Sequence, residues 1–575
     1  MSYVIKKVDE EELQYYMKQS GINNRLAAKV FLNRNYGEDF IKEIINSPES
    51  FYRNPKDIYG AEEVAKRIIR HIVKPRNKIY IFGDYDVDGI TSIVLLKIFL
   101  ESFGLKTEFD LRLPERREGY GLNLNYCQDV IDDSYYNHED KLVITVDNGV
   151  ACKEQVEFLQ NYGIETVVID HHNPQKETIP DTLICNPHME SFEKEEYEGK
   201  HLAGVAVVYK VCQCINMLAD QKRRINLNDF LPFVAMGTIS DMMVLNPENM
   251  AIVINGLKEL KEPREENRFK ELFHVIDKHI GQKKILYTHI AWDIAPKINA
   301  CGRIDTPVTG AKLFLSYYDS SESIKNVMEE INEINQLRKK KSAEANIEVK
   351  KNYDFTEETI CCCKLKSAPE GILGQIATEI SDREKKPSFV LKKNKEGMLA
   401  GSGRSPYDIT GILLEEKGDT VHFFAGHKGA FGIQIYPNKL DEFRNNVTNK
   451  IKALGLKPEK EIISIDSFIE LEDITLKNYY DVNLIPMKTA DEPIFAIRNL
   501  NIIEYVPSKN KPENIKFFFS NGRINTQIWG WNIKDKLQNL RSFKNVTLVG
   551  KFTTDFQNPN RATLKIIDIT NDELS

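Results

Sequence analysis

The chain has 575 residues, enough for roughly three to five domains at the usual ~100 to 200 residues each. Its 85 acidic and 78 basic side chains leave a net charge of −7, and 28% charged with 41% hydrophobic residues is the balance of a folded globular protein, which excludes a mainly disordered chain. The most apolar run, Ser92 to Leu100, is interrupted by Lys97 and is about half a membrane span, and the N-terminal segment lacks the apolar core of a signal peptide, so a cytoplasmic protein without membrane association is expected.

Nine cysteines at irregular spacing make no disulfide framework, and neither Cys361, Cys362 and Cys363 nor Cys212 and Cys214 has the spacing of a structural zinc site. From Lys78 to Pro187, short β-branched runs (KIYIF, KLVITV, ETVVI, TLIC) alternate with helical patterns, which predicts a parallel α/β sheet buried on both faces. Helices follow at Gly204 to Gln213 and Phe230 to Met236. Ser321 to Val349 reads as one long connecting helix, with Ile324, Met328, Ile331, Ile334 and Leu337 on one side. The basic run Arg338 to Lys341 on that helix reads as a solvated face. Strands at Thr359 to Leu365, Ser388 to Leu391 and Thr420 to Phe424, with the helical GILGQIATEI between the first two, predict a second α/β lobe. Beyond Pro458 five strand-like runs without long helices predict a small OB-like barrel. The expected division is a catalytic lobe with an N-terminal helical extension (1–320), the connector (321–352), a second lobe (353–460) and the barrel (461–575).

The strongest chemical signal is GDYDVDG, where Asp84, Asp86 and Asp88 follow the strand KIYIF. An EF-hand is excluded, because the twelfth loop position is Leu95 and the segment enters from a strand. Two more strands end in acids: VITVD at Asp147, and TVVID at Asp170 followed by His171 and His172. In a parallel sheet these ends converge on one crevice, and Asp241, after an apolar helix, can join them from the side. A lone acid after a strand is usually a helix cap; four segments sharing the feature point to a site. Carboxylates with one or two imidazoles and no cysteine suit manganese or magnesium, and so many acids imply two ions. Two such ions support phosphoester hydrolysis.

DYDVDG, VDNG, DHH and GTISD, in this order, resemble the DHH phosphoesterase superfamily. The rest of the chain is similar to its RecJ family of 5′ to 3′ single-strand-specific exonucleases, through PERREGYGLN, IAPKINACGRID, INEINQLRKK, GILGQIA, GSGRS and AGHKGAFG. The resemblance implies a DHH lobe, a DHH-associated lobe and an OB-like single-strand-binding domain. It implies that Asp86, Asp88, Asp147, His171 and Asp241 hold two Mn2+ or Mg2+ ions, with Asp147 between them and Asp84 as ligand or support. It also implies that His172 faces the scissile phosphate and that Asp170 orients its neighbours. Ser402 and Arg404 of GSGRS, with Arg116 of PERREGYG, are expected to seat a 5′-phosphate; Asn299 and Arg303 are expected to approach the strand or the scissile phosphate. Trp529 and Trp531 of the barrel are expected to stack on bases, whereas Phe517, Phe518 and Phe519 read as core or strand-edge residues. Single-stranded DNA is the expected substrate, a single-strand-binding protein or a helicase the expected partner, and a monomer the expected state. Four departures from the family pattern stand out: Phe82 replaces a common histidine two residues before Asp84, Ala368 and Pro369 replace a Trp-His pair, Ala425 replaces the first glycine of GGH, and PERREGYG is one residue shorter than the common spacing, which leaves Arg117 as the alternative to Arg116. An oligoribonuclease or cyclic-dinucleotide phosphodiesterase, and a non-catalytic DNA-binding scaffold, are the rival readings.

Overall fold

The computed structural model describes residues 2–119, 121–189, 198–459, 462–509 and 511–571. Tyr120 of PERREGYG and the expected lobe boundary at 460/461 lie outside these residues. Strand β1 (Ser2–Ile5) opens the chain, and three amphipathic helices follow, Glu10–Ser20, Arg25–Asn33 and Glu38–Asn46. Strands β2 (Asn77–Phe82), β3 (Thr107–Arg112), β4 (Lys141–Val146), β5 (Glu165–Ile169) and β6 (Leu183–Cys185) form the parallel sheet, in the order β3-β2-β4-β5-β6. Its β-branched central strands are buried on both faces, as covering helices require. Helix Val87–Glu101 is buried on nearly its whole circumference because it lies between the sheet and the apolar helices Gly204–Leu218 and Leu231–Ser240. Among the described residues no helix is long and apolar enough to cross a membrane.

The connector runs from Ser321 to Asn352, about 48 Å at 1.5 Å per residue. Its buried stripe departs from the expected one. Leu337 is exposed and Asn335 is buried instead, accepting from Arg338 Nε at 3.0 Å while Arg338 Nη1 donates to Gln375 of the second lobe at 2.6 Å. The helix leaves the catalytic core at that point and meets a polar junction, and its buried stripe turns apolar again only at Ala345 and Val349, which pack into the second lobe.

The second lobe contains β7 (Cys361–Lys364), β8 (Ser388–Lys393), β9 (Leu399–Arg404), β10 (Val421–His427) and β11 (Ala430–Ile435), in the order β10-β11-β9-β8-β7. GSGRS therefore lies at the end of a central strand. Its glycines serve packing: a Cβ on Gly401 would lie 2.0 Å from the Val390 carbonyl oxygen, and one on Gly403 would lie 2.0 Å from the Phe431 ring.

Strands β12 (Ile462–Ile465), β13 (Ser467–Phe468), β14 (Phe495–Pro507), β15 (Ile515–Ser520), β16 (Asn525–Gly530), β17 (Val546–Thr554) and β18 (Ala562–Thr570) complete the chain. The order β16-β15-β14-β17-β18 is antiparallel throughout and curls so that β16 approaches β18, an OB-like arrangement. Phe517 and Phe519 point into its core and Phe518 is half-buried. The N-terminal helices share one hydrophobic core with this barrel and with the catalytic lobe: Leu13, Phe31 and Ile44 belong to one cluster with Tyr479, Phe495 and Leu548 and with Met250 and Ala251. β1 pairs in parallel with β12, and the Arg34 guanidinium grips both oxygens of Asp466 at 3.0 Å.

Candidate active site

Strands β2, β4 and β5 deliver the acids. Asp84 and Asp86 lie on the turn after β2, and Asp86 caps helix Val87–Glu101 by accepting from the Gly89 amide at 3.1 Å. Gly89 is needed there, because a Cβ would lie 2.4 Å from the Asp84 carbonyl oxygen. Phe82, two residues before Asp84, is fully buried against Tyr126. Asp147 ends β4 in the left-handed region, at φ 59°, a conformation that a non-glycine residue holds only when its surroundings fix it.

Five carboxylates and a histidine meet. His171 Nε2 lies 3.1 Å from Asp147 Oδ1, 3.8 Å from Asp241 Oδ2 and 3.9 Å from Asp88 Oδ2. Three overlapping groups each have donor atoms within 4.8 Å of one another: Asp84, Asp86 and Asp147; Asp88, His171 and Asp241; Asp147, His171 and His172. Burial, and after it the charge of Asp86, push the carboxyls of Asp84 and Asp241 up to about 7. Burial and then their carboxylate neighbours push Asp88 and Asp147 well above the usual range. Burial, reinforced by His172, drops His171 to about 3, so it offers a neutral nitrogen.

Asp170 organises the far side. Its Oδ2 accepts from the Val150 amide at 2.9 Å, and its Oδ1 accepts from the amides of His171 (2.7 Å) and His172 (3.2 Å) and pairs with His172 Nδ1 at 2.8 Å. Burial opposes charge on both partners, yet their mutual hydrogen bond wins, holding Asp170 at about 2 and lifting His172 to about 9. His172 has 44% of its side chain exposed, which puts it at the mouth of an otherwise buried cluster.

The sequence pattern gave no sign of what holds Asp88. The amides of Gly204 and Val205, at the start of helix Gly204–Leu218, donate to its Oδ2 (2.7 Å) and Oδ1 (2.9 Å), a helix N-terminus seating an anion. A Cβ on Gly204 would lie 2.5 Å from Asp147 Oδ1, and one on Gly237 would lie 2.6 Å from Asp88 Oδ1, so these two glycines make the room. The signal available was HLAGVA, a glycine opening an apolar helix.

Asn299, expected near the strand, is a strut: its Oδ1 accepts from the Val87 amide at 3.0 Å and its Nδ2 donates to Ser240 Oγ at 3.4 Å, tying the GDYDVDG turn to the helix that ends before Asp241. Arg303 reaches the second lobe, donating to the Gly371 carbonyl at 3.0 Å. Burial lowers it to about 10, helped by Arg116 and Arg338. Arg116 stacks over Tyr85 at 4.1 Å; the side chain of Arg117 lies outside the described residues. Ser402 and Arg404 gather over Gly374, where a Cβ would lie 3.1 Å from Arg404 Nη2 and 3.4 Å from Ser402 Oγ. Gly374 is in the first turn of helix Leu373–Glu384. Among the described residues no carboxylate lies within ion-pair distance of Arg303, Arg338 or Arg404, so this junction has cations in search of an anion. Trp529 and Trp531 stack on each other at 5.8 Å, with Phe556 edge-on to both.

A parallel sheet ending in this acid and histidine cluster is the DHH arrangement, and the model of the DHH family, N-terminal domain, matches residues 78–238. RecJ of Bacillus subtilis, a single-stranded-DNA-specific exonuclease, is 26% identical over 99% of this chain and 70% of that protein. RecJ of Haemophilus influenzae is 27% identical over 74% of this chain and 75% of its own length. The crystal structure of Thermus thermophilus RecJ in complex with Mn2+ superposes with a TM-score of 0.77 at 18% identity, covering 100% of this chain and 80% of that one. The chain thus carries a DHH-family N-terminal domain and is similar over most of its length to RecJ exonucleases of the DHH phosphoesterase superfamily.

Proposed function

We propose that this protein is a metal-dependent exonuclease that hydrolyses single-stranded DNA from its 5′ end and releases 5′-mononucleotides. The observation that carries the reading is the donor set itself: Asp147 belongs both to an all-carboxylate group and to a group with two imidazoles. Buried acids at mutual distances this short repel one another unless cations offset them, and an oxygen-rich set without cysteine fits Mn2+ or Mg2+. The relatives named for single-stranded DNA, and the solved relative holding Mn2+, support the same reading.

In this reading Asp84, Asp86, Asp88, Asp147, His171 and Asp241 hold two ions, which when bound supply Lewis acidity and offset the charge of the phosphate. The chain does the rest. Asp170 fixes Nδ1 of His172, so the proton at Nε2 is the one offered to a phosphate oxygen, and the raised pKa keeps that ring charged at neutral pH. Gly204 and Val205 keep Asp88 seated while its remaining lone pairs face the cluster. Asn299 holds the turn bearing Asp84 and Asp86 against the segment bearing Asp241, which fixes the spacing of the donors. Polarity comes from the junction of the lobes, where Ser402, Arg404 and the first turn of helix Leu373–Glu384 seat a terminal 5′-phosphate, with Arg303 and Arg116 extending the positive surface toward the cluster. Strands of DNA and of RNA, labelled at the 5′ or the 3′ end and incubated with Mn2+, test this. Release of labelled mononucleotide first from 5′-labelled DNA is expected; release first from the 3′ label, or none from either, contradicts it.

A further inference from the structure

Tryptophan is among the side chains that folding buries most thoroughly on average, yet Trp292 is 65% exposed. It sits on a π-helical turn, Ile290–Ile294, that runs without a break into helix Ala295–Ile304. Such single turns inside α-helices are frequent at functional sites. The same helix carries Asn299, bonded to the GDYDVDG turn, seven residues further on. Trp292 is therefore about 10 Å along the helix from the edge of the cluster, the reach of two or three nucleotides.

The barrel supplies a cation over this ring. Lys565 Nζ, on β18, lies 5.7 Å from the Trp292 centroid, and among the described residues no carboxylate is within ion-pair distance of it. Its partner across the ladder is Lys551, which pairs with Glu492 at 3.6 Å. Trp292, Lys551 and Lys565 line a cavity of about 760 Å³ between the catalytic lobe and the barrel. The turn Thr489–Asp491 borders that cavity and a second one, of about 470 Å³, which contains Lys488 together with Val244 and Leu245, residues that follow Asp241 closely. Lys488 is near enough to Asp241 for its charge to be felt there. The two cavities share Lys6, Arg34 and Asp491, so Lys488, on the side of the cluster, and the indole under Lys565 line neighbouring hollows, with Asp466 and Glu492 also on the wall of the larger one.

A ring serving only to join lobe and barrel would be covered by them. An exposed ring beside cations has the chemistry of a station for a base and its phosphate. We propose that Trp292 and Lys565 form a stacking and charge clamp for a nucleotide on the 3′ side of the scissile bond, with Lys488 covering the phosphate between that nucleotide and the cluster. The proposal rests on the exonuclease reading, and its test separates the two.

Steady-state cleavage of a 5′-phosphorylated 12-mer and of a 5′-phosphorylated dinucleotide is compared for wild type, Trp292→Ala, Trp292→Phe and Lys565→Gln. Trp292→Ala should raise KM on the 12-mer roughly five- to hundredfold, and at least fivefold more than on the dinucleotide, which is too short to reach the ring. Trp292→Phe should recover most of the loss, and Lys565→Gln should weaken the salt dependence of KM on the 12-mer. An equal change on both lengths, or no change on the 12-mer, overturns the clamp. The chain has three tryptophans, so in a W529F/W531F background the emission of Trp292 is read alone. Quenching on addition of oligo-dT without divalent metal is expected, and an unquenched signal at saturating strand overturns the clamp. If wild type cleaves no single strand while Trp292 is still quenched, the exonuclease reading falls and the clamp stands.

Discussion

Gly204→Ala tests how tightly the cluster is built. The added Cβ would lie 2.5 Å from Asp147 Oδ1, 2.6 Å from its Cβ and 2.8 Å from its Cγ, whereas ordinary contact begins at 3.4 Å. Something must open by about 0.9 Å. Asp147 has little freedom to give way, since its backbone is left-handed and its amide is bonded to the Ile169 carbonyl at 3.0 Å. The other route moves the start of helix Gly204–Leu218, whose two amides hold Asp88, so either response displaces a carboxylate of the cluster. Overpacking of this kind costs about 1 to 3 kcal/mol of stability, and a displacement near 1 Å at reacting groups costs about a hundredfold in rate. The assay is the initial rate on a 5′-phosphorylated single strand with Mn2+, alongside thermal melting by circular dichroism. Gly411→Ala, with nothing within 4 Å of its added Cβ, is the control and should match wild type in both. A Gly204→Ala protein within threefold of the wild-type rate would refute the argument that this glycine sets the spacing of Asp88 and Asp147.

Asp147→Ala should abolish hydrolysis while single-strand binding by fluorescence anisotropy stays within a few fold, because Asp147 is shared by two donor groups; more than about a tenth of the wild-type rate would contradict that sharing. Arg404→Ala should cost roughly ten- to hundredfold in kcat/KM on 5′-phosphorylated strands and far less on 5′-hydroxyl strands, and an equal loss on both would make Arg404 a general backbone contact. Truncation at Ile463 should yield aggregated protein in size-exclusion chromatography, since it uncovers Leu13, Phe31 and Ile44; a monodisperse, cooperatively melting product would show that the helices do not need the barrel. His71 is wholly buried, with Nε2 at 3.2 Å from the Lys78 carbonyl and Nδ1 without a hydrogen-bond partner among the described residues, and burial drops its pKa from 6.5 to about 4. The unfolded chain then binds the extra proton first, so stability is full above about 6.5 and falls by on the order of 3 kcal/mol as the pH drops toward 4. Denaturant melts across that range should show the slope, and His71→Gln should flatten it.

Most acids of the cluster were legible because they follow the ends of apolar strands, which parallel pairing brings together whatever lies between them in sequence, and Asp241 because it follows an apolar helix. The supports of those acids were not. Backbone amides hold Asp88, and amides carry no side-chain signature. Gly204 and Gly237 matter for atoms they lack, which only a distance can reveal. The packing role of the GSGRS glycines is likewise absent from the motif, since the carbonyl of Val390 and the ring of Phe431 that exclude a Cβ come from neighbouring strands. Leu337 fits the helical period, but periodicity says nothing of where the partner surface stops. The partnership of the N-terminal helices with the barrel was invisible for the same reason: amphipathic helices announce a buried face and leave its partner unnamed.

That partnership sets an order of events during synthesis. Ser2 pairs with Ile462, so 460 residues must be made between one strand of this ladder and the other. At about 5 to 20 residues per second the ribosome needs roughly 25 to 90 s for that stretch. The parallel sheet and the helices around it are complete long before, while the apolar faces of the first three helices wait in water for a barrel that does not yet exist. The newborn chain therefore carries a sticky leading end past a finished catalytic lobe, and the amount of protein recovered from a cell depends on what shelters that end in the interval.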